Sequence, residues 1–359
     1  MTIEEQIRKI EEELARTQYN KHTQFHIGQL KARLARLRAE QEERSKGKSG
    51  KGYSVKKSGD ATVLLVGFPS VGKSTLINKI TRVESKVGDY DFTTLNIVPG
   101  MMEYNGARIQ VLDMPGIIEG ASSGKGLGRQ VLSAVRNADL IVVMVDVKRV
   151  KQAGTIKSEL YEAGFRLNQK PPDVRITKKN KGGIEVISTL KLKCISRDEI
   201  RAVLEQFGIH NAEVLIRENI TTEQLIDCLM RNRVYVPAIF VVNKIDSASQ
   251  EEIQNLPDGF IPISAEKSKG IEELKKAIWE KLGLVRIYLK KTGREPDMKE
   301  PLIMRGEPTV MEVCERIHKE FARNFRFARV WGRSAKFPGQ KVGGDHKLAD
   351  GDVVELHIC

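Results

Sequence analysis

The sequence contains no run of eighteen apolar residues, the length a membrane-spanning helix needs, and its first residues, MTIEEQIRK, are charged rather than signal-like. Neither a membrane span nor export is expected. Cysteine is scarce: Cys194, Cys228, Cys314 and Cys359 show no C-x-x-C spacing, which fits a reducing cytosol and no zinc site. His22 and His26 share a helical face four apart but lack a nearby Glu or Cys ligand, so they read as surface or packing residues. What the chain does have is length and positive charge. Its 359 residues suffice for two or more domains at roughly 150 residues each. A formal charge of +13 at pH 7 favours polyanionic partners, nucleic acid first, although a charge excess can also serve solubility alone.

Near the N-terminus, Ile3, Ile7, Ile10 and Leu14, then Leu30, Leu34 and Leu37, are spaced alternately four and three apart, a narrow coiled-coil-like seam on two helical pieces. The polar run Tyr19 to Gln24 separates the pieces and Thr23 can cap the second, so residues 1–43 read as a helical hairpin. Its Lys- and Arg-rich faces are either solvated surface or an RNA-facing patch. Residues 44–59 lose all apolar periodicity, and their Gly, Ser and Lys content reads as a flexible basic linker.

From Ala61 the pattern alternates apolar runs with helical stretches, the sign of a parallel α/β sheet. The runs are Thr62 to Val66, Ile109 to Leu112, Leu140 to Val145 and Ala238 to Val242, and they end at Gly67, Asp113, Asp146 and Asn243. The first run leads into Gly67-Phe68-Pro69-Ser70-Val71-Gly72-Lys73-Ser74 and then TLINKI: strand, glycine-framed loop, helix. That order reads as a Walker A phosphate cradle. The glycines let successive N–H groups face phosphate oxygens, Lys73 would reach the β- and γ-phosphates, and the Ser74 hydroxyl would ligate Mg2+.

The second run ends in Asp113-Met114-Pro115-Gly116, where a carboxylate can hold Mg2+ through water and the Gly116 N–H can sense a γ-phosphate. The fourth ends in Asn243-Lys244-Ile245-Asp246. The Asp246 carboxylate can accept from guanine N1–H and the exocyclic amine, whereas adenine offers an acceptor at N1 and no amine at C2, so GTP is favoured over ATP. Downstream, Ser264-Ala265-Glu266 offers a backbone N–H to the guanine O6. Each motif alone is weak; their order after a Walker A loop is specific.

GFPSVGKS, DYDFTTL, DMPGIIEGA, NKID and SAE in this order resemble the Obg-type GTPases, and within them the developmentally regulated GTP-binding protein family, across essentially the whole chain. The hairpin stretch RTQYNKHTQFHIGQLKARLA, an insertion inside the G domain and a TGS-like tail carry that finer resemblance. It implies a translation-associated GTPase in the cytoplasm that works with ribosomes or RNA and a regulatory protein partner, as a monomer or in transient complexes. By the same resemblance Thr94, with Thr93 as its competitor, is the switch I threonine that closes on Mg2+, so Lys73, Thr94, Asp113 and Gly116 form the catalytic set. Ile117 stands where Ras-like enzymes carry a water-orienting Gln, and an isoleucine has no polar atom for that task. The water must be placed by the switch backbone, a polar residue such as Glu119, a partner or K+. Ser70 departs from the Asn of K+-using relatives, and slow basal turnover is expected.

The expected architecture is an α/β P-loop G domain, residues 60–165 and 222–285, interrupted by a small α+β insert at 166–221 that resembles a ribosomal-protein-like fold. A β-grasp TGS-like domain follows at 286–359. The insert should hold helices Lys151 to Glu162 before it and Arg197 to Phe207 within it, strands Ile184 to Thr189 and Lys191 to Ile195, and a basic loop Thr177 to Lys181, solvated or RNA-facing; Thr222 to Met230 reads as a helix after it. The tail should hold one helix, Thr309 to Phe325. Arg323, Arg326, Arg329, Arg333 and Lys336 lie around Trp331 and Phe337, either gripping RNA or solvated around a core tryptophan. Two other functions fit less of the sequence: a nucleic-acid-binding adaptor with negligible turnover, and a hairpin scaffold for a protein partner.

Overall fold

The computed structural model describes residues 2–18, 20, 23–46, 59–81, 99–113, 137–230 and 232–358. Strands β1 (Ala61–Val66), β2 (Pro99–Tyr104), β3 (Ala107–Asp113), β4 (Leu140–Asp146), β5 (Ala238–Asn243) and β6 (Phe260–Pro262) form one sheet in the order β6-β5-β4-β1-β3-β2. Neighbours are parallel except β2 and β3. β1 is buried at every position and β4 at all but its last, which sequences apolar but for Thr62 and the final Asp146 permit and a sheet covered on both faces requires. Parallel order brings Gly67, Asp113, Asp146 and Asn243 to one edge of the sheet, the edge at which α/β proteins bind ligands.

The edge strand β2 was not expected from the sequence. Its signal is Asn105-Gly106, whose φ angles of 50° and 82° build the two-residue hairpin turn that pairs Tyr104 with Ala107.

By contact density the chain divides into two compact units, Met1–Gly52 with Gln169–Tyr235, and Tyr53–Asn168 with Val236–Cys359. The second unit carries the sheet above and a C-terminal module. In the module β7 (Leu284–Leu289), β8 (Leu302–Arg305), β9 (Phe325–Trp331), β10 (Gln340–Val342) and β11 (Asp352–Ile358) are ordered β8-β7-β11-β9-β10, a β-grasp sheet. Val310, Val313 and Cys314 of the helix Val310–Ile317 pack on Ala328, Val330 and Val354, leaving the other face of β9 and β11 outside this core. The single helix expected over Thr309 to Phe325 is broken. His318 is extended, with φ −168° and ψ 145°, and its ring accepts the Glu320 N–H to cap a second short helix, Lys319–Arg323. Leu284 and Ile303 of the module belong to the core of the larger sheet. Arg305 clasps the Asp139 carboxylate at 2.8 and 2.9 Å and the Asp60 carbonyl at 2.7 Å, just before β1 begins.

The first unit joins the hairpin to the insert. Helix Ile3–Arg16 opens with a capping box between Thr2 and Glu5, and helix Gln24–Lys46 runs three residues into the segment read as linker. Ile10, Leu30 and Leu37 are buried between the two, with Ile3, Ile7, Leu14 and Leu34 beside them, so the seam lies where its spacing puts it. In the turn, Asn20 and Thr23 interlock: each side-chain oxygen accepts the other's backbone N–H, at 2.9 and 3.0 Å. A second stripe on the long helix, Ala32, Ala35 and Ala39, packs into the insert, where small side chains admit close approach.

The insert is a three-stranded sheet, Val174–Lys178, Ala212–Ile216 and Ile184–Ser188, in that spatial order, with helix Arg197–Gln206 against it. Lys191 to Ile195 is not a strand. Two strands that the sequence reading missed take its place, and part of the expected basic loop, Thr177 and Lys178, lies in one of them. Helix Thr222–Leu229, read from sequence as returning to the G domain, packs in this first unit through Leu225 and Ile226.

Candidate functional site

β1 delivers the chain to the ligand edge, and close packing there selects the residues of the loop. A Cβ on Gly67 would stand 2.5 Å from the Met144 carbonyl oxygen. Gly72 has φ +95°, and a Cβ there would stand 2.4 Å from the Asn243 amide nitrogen, so glycine is required by conformation and by space. Ser70 also takes a positive φ, 62°, so the loop curls tightly before helix Lys73–Ile80. No side chain caps that helix, and its first N–H groups face the cradle as an anion site. Lys73 folds back over the loop, its ammonium donating to the carbonyls of Gly67 at 3.0 Å and Phe68 at 3.2 Å.

Opposite the helix start, the Ser74 hydroxyl donates to Asp113 Oδ2 at 2.8 Å. Asp113 is 6 % exposed, and its Oδ1 is buried without a hydrogen-bond partner among the described residues. A buried carboxylate oxygen left without a donor is costly, and a cation is the natural complement. The hydroxyl and carboxylate are hard oxygen donors of the type that Mg2+ takes from a protein when phosphates and water complete its shell. Among the described residues no group of three or more His, Cys, Asp or Glu could hold a metal.

The second half of the site starts at the end of β5. Asn243 is 3 % exposed; its amide donates to the Val71 carbonyl at 2.8 Å and its oxygen accepts the Ala265 N–H at 2.9 Å. One side chain thus fixes the phosphate loop to the Ser264-Ala265-Glu266 segment. Lys244 follows in the left-handed conformation, φ 67°, and its ammonium pairs with Asp146 Oδ2 at 2.8 Å. Burial opposes ionisation of Asp146, but hydrogen bonds from Lys244 and the Lys148 N–H outweigh it and hold the carboxyl below its ordinary value. The Asp246 carboxylate accepts the Ser264 hydroxyl, chiefly through which its pKa is lowered, with Lys267 and Lys269 adding to the effect. Ser264, fully buried, also accepts the Lys267 N–H at 3.1 Å, so the segment presents Asp246 in one orientation.

The Ser264 N–H goes to the Lys269 carbonyl and the Ala265 N–H to Asn243, which leaves the exposed Glu266 to offer its own. Sequence reasoning missed this division of donors, because nothing local marks Asn243 as the partner of Ala265. Thr94 and Met114, Pro115, Gly116 and Ile117 lie outside the described residues. Among the described residues no helix is long and apolar enough to cross a membrane.

Fold, loop and motif order define a P-loop GTPase with a C-terminal TGS domain. Family models agree: residues 62–179 match the 50S ribosome-binding GTPase, 181–284 the C-terminal region of that domain, and 285–358 the TGS domain. The chain belongs to the developmentally regulated GTP-binding protein family. It is 56 % identical to an uncharacterized GTP-binding protein of Methanocaldococcus jannaschii over 100 % of this chain and 93 % of the relative. It is 47 % identical to GTP-binding protein 1 of Schizosaccharomyces pombe and 44 % to developmentally-regulated GTP-binding protein 2 of Bos taurus, each over 99 % of both chains.

Proposed function

We propose that this chain binds GTP with Mg2+, hydrolyses it slowly to GDP and phosphate, and uses the change of state as a cytoplasmic switch on ribosomes or RNA in translation. The observation that carries the reading is Asn243. Through it the phosphate loop and the base-reading segment are a single rigid frame, so a nucleotide's two ends are measured against each other. Asp246 reads the guanine N1–H and amine, and the Glu266 N–H rather than that of Ala265 meets the guanine O6. The stem of Lys244, held by Asp146, flanks the base.

At the phosphates, Lys73 would leave the loop carbonyls for the β- and γ-oxygens, and Ser74, Asp113 and Thr94 would hold Mg2+. When bound, the metal would supply charge neutralisation. The Gly116 N–H senses the γ-phosphate, while Ile117 contributes no polar atom to align water. Turnover of the isolated protein is therefore expected well below ~1 s⁻¹, raised by a partner or by K+.

Timed phosphate release from purified protein tests this, with GTP or ATP and with or without ribosomes. Slow release from GTP alone, faster with ribosomes or K+, supports it. Equal rates with ATP would sink the guanine assignment. Tight GTP binding with no release under any condition would favour the second reading, an RNA-bound adaptor whose nucleotide only orders the switches.

A further inference from the structure

At the ligand edge β4 and β5 end side by side, with Asp146 and Asn243 in register. Lys244, the next residue of the chain, is left-handed, with φ 67° and ψ 33°, a conformation that glycine takes freely and a lysine adopts only at a cost. The Ser247 hydroxyl and N–H both donate to its carbonyl, at 2.9 and 3.0 Å, which fixes the backbone of the turn but not the side chain of the lysine. A strained residue kept where glycine would be easier points to a use for its side chain.

That side chain crosses from the end of β5 to the end of β4, where its ammonium meets Asp146 Oδ2 at 2.8 Å. Of the two partners Asp146 is the fixed one. Its Oδ1 accepts the Lys148 N–H at 2.9 Å and caps the one-turn helix Val147–Arg149, and its side chain is 18 % exposed against 41 % for the lysine. A four-carbon stem has many rotamers in water, and an anchor at its tip removes most of them before a ligand arrives. The stem so held is an apolar strip two residues before Asp246, the residue that the reading above sets against the guanine ring.

We propose that Asp146 is a positioning residue that sets how long a guanine nucleotide stays bound: by anchoring Lys244 it preorganises the strip on which the purine ring rests. The inference rests on the GTP-binding reading above and adds a division of labour to it. Asp246 chooses the base by its hydrogen-bonding edge, whereas the Asp146–Lys244 pair acts on the ring face, which guanine and hypoxanthine share. Loss of the anchor should fall on dissociation rather than on association, because the encounter does not depend on the strip and the bound state does.

The test is stopped-flow release of ribose-labelled fluorescent GDP and inosine diphosphate from the full chain, from Asp146→Asn, from Lys244→Met and from the double variant. Asparagine remains a good helix cap, so Asp146→Asn removes the charge and keeps the turn. Methionine keeps an apolar stem without the ammonium. Expected in Asp146→Asn is faster release of both nucleotides by the same factor, about five- to tenfold, a range that allows for the half-exposed lysine. Association should stay within about twofold of the parent. In the Lys244→Met background Asp146→Asn should add less than about twofold, since the two residues act as one unit. Asp246→Asn, by contrast, should speed release of GDP more than of inosine diphosphate, which lacks the amine. Parent release rates in Asp146→Asn overturn the proposal. So does an equal effect with and without the Lys244 ammonium, which would make Asp146 a cap of the turn alone, or an effect confined to GDP. A parent chain that binds neither nucleotide sinks the GTP-binding reading itself, whereas a parent that binds both, with release unchanged by Asp146→Asn, sinks this inference alone.

Discussion

Ala265 donates its backbone N–H to the Asn243 side-chain oxygen at 2.9 Å, while the other end of the same amide holds the Val71 carbonyl at 2.8 Å. Neither partner has water as an alternative. Asn243→Ala leaves two buried groups unsatisfied at about 1–3 kcal/mol each, so a loss of about 2–6 kcal/mol in urea unfolding is expected, with weaker binding of GTP and GDP alike. Stability equal to the parent would mean that the two loops hold their places independently.

Asp246, which the proposed function sets against the guanine base, accepts the Ser264 hydroxyl. Asp246→Asn exchanges an acceptor for a donor, so GTP affinity should fall and xanthosine triphosphate affinity rise, read by competition against a labelled nucleotide. Unchanged GTP affinity would sink the assignment. The lowered pKa fixes the pH behaviour: the carboxylate's contribution is complete above its ordinary value of 3.8 and is lost only as pH falls through the lower, folded one. GTP affinity should therefore be insensitive to this group from pH 5 to 8, and Ser264→Ala should move the acid limb of binding upward.

Ser74 and Asp113 share a proton-donating contact where the reading places Mg2+. Ser74→Ala and Lys73→Ala should each reduce GTP turnover at least about tenfold, because phosphoryl transfer depends on metal placement and charge neutralisation. In Ser74→Ala the loss should ease as Mg2+ is raised; in Lys73→Ala it should not. Full activity in either would mean that this loop is not the catalytic cradle.

Arg305 binds Asp139 with both nitrogens of its fork, and Asp139 also accepts the Thr62 N–H at 2.8 Å. Arg305→Ala should lower stability by about 1.5–3 kcal/mol in chemical denaturation, the cost of a charge-assisted pair with a mostly buried partner. A loss below about 0.5 kcal/mol would show that the apolar contacts of Leu284 and Ile303 hold the module without the ion pair. Cutting the chain at Arg286 removes Ile303 from the larger core and Arg305 from Asp139, so point substitutions on the module report docking more cleanly than truncation does.

The strands leading to the ligand edge were legible because they are mostly apolar runs, interrupted only by Thr62 and Gln110, each ending in a residue whose chemistry is its signal. The hairpin seam was legible for the same kind of reason: Ile10, Leu30 and Leu37 repeat at a spacing only a helix uses. The strands Val174–Lys178 and Ala212–Ile216 were not, since Arg175, Thr177, Lys178 and Glu213 interrupt their apolar positions, and five residues are too few to establish a period. The break at His318 left no mark either, because the apolar positions on both sides continue a helical pattern. The Asn243 junction spans 172 positions to Val71, and no local pattern carries a contact of that range.

The long hairpin helix has two apolar stripes, one for its neighbour in sequence and one for a partner ending at Leu229. Roughly 180 residues separate the end of that helix from the end of the partner, so at ~5–20 residues per second a nascent chain waits about 10–40 s between making the alanine stripe and covering it. The stripe is built of Ala32, Ala35 and Ala39 rather than leucines, which offers little for another newborn chain to adhere to during that interval.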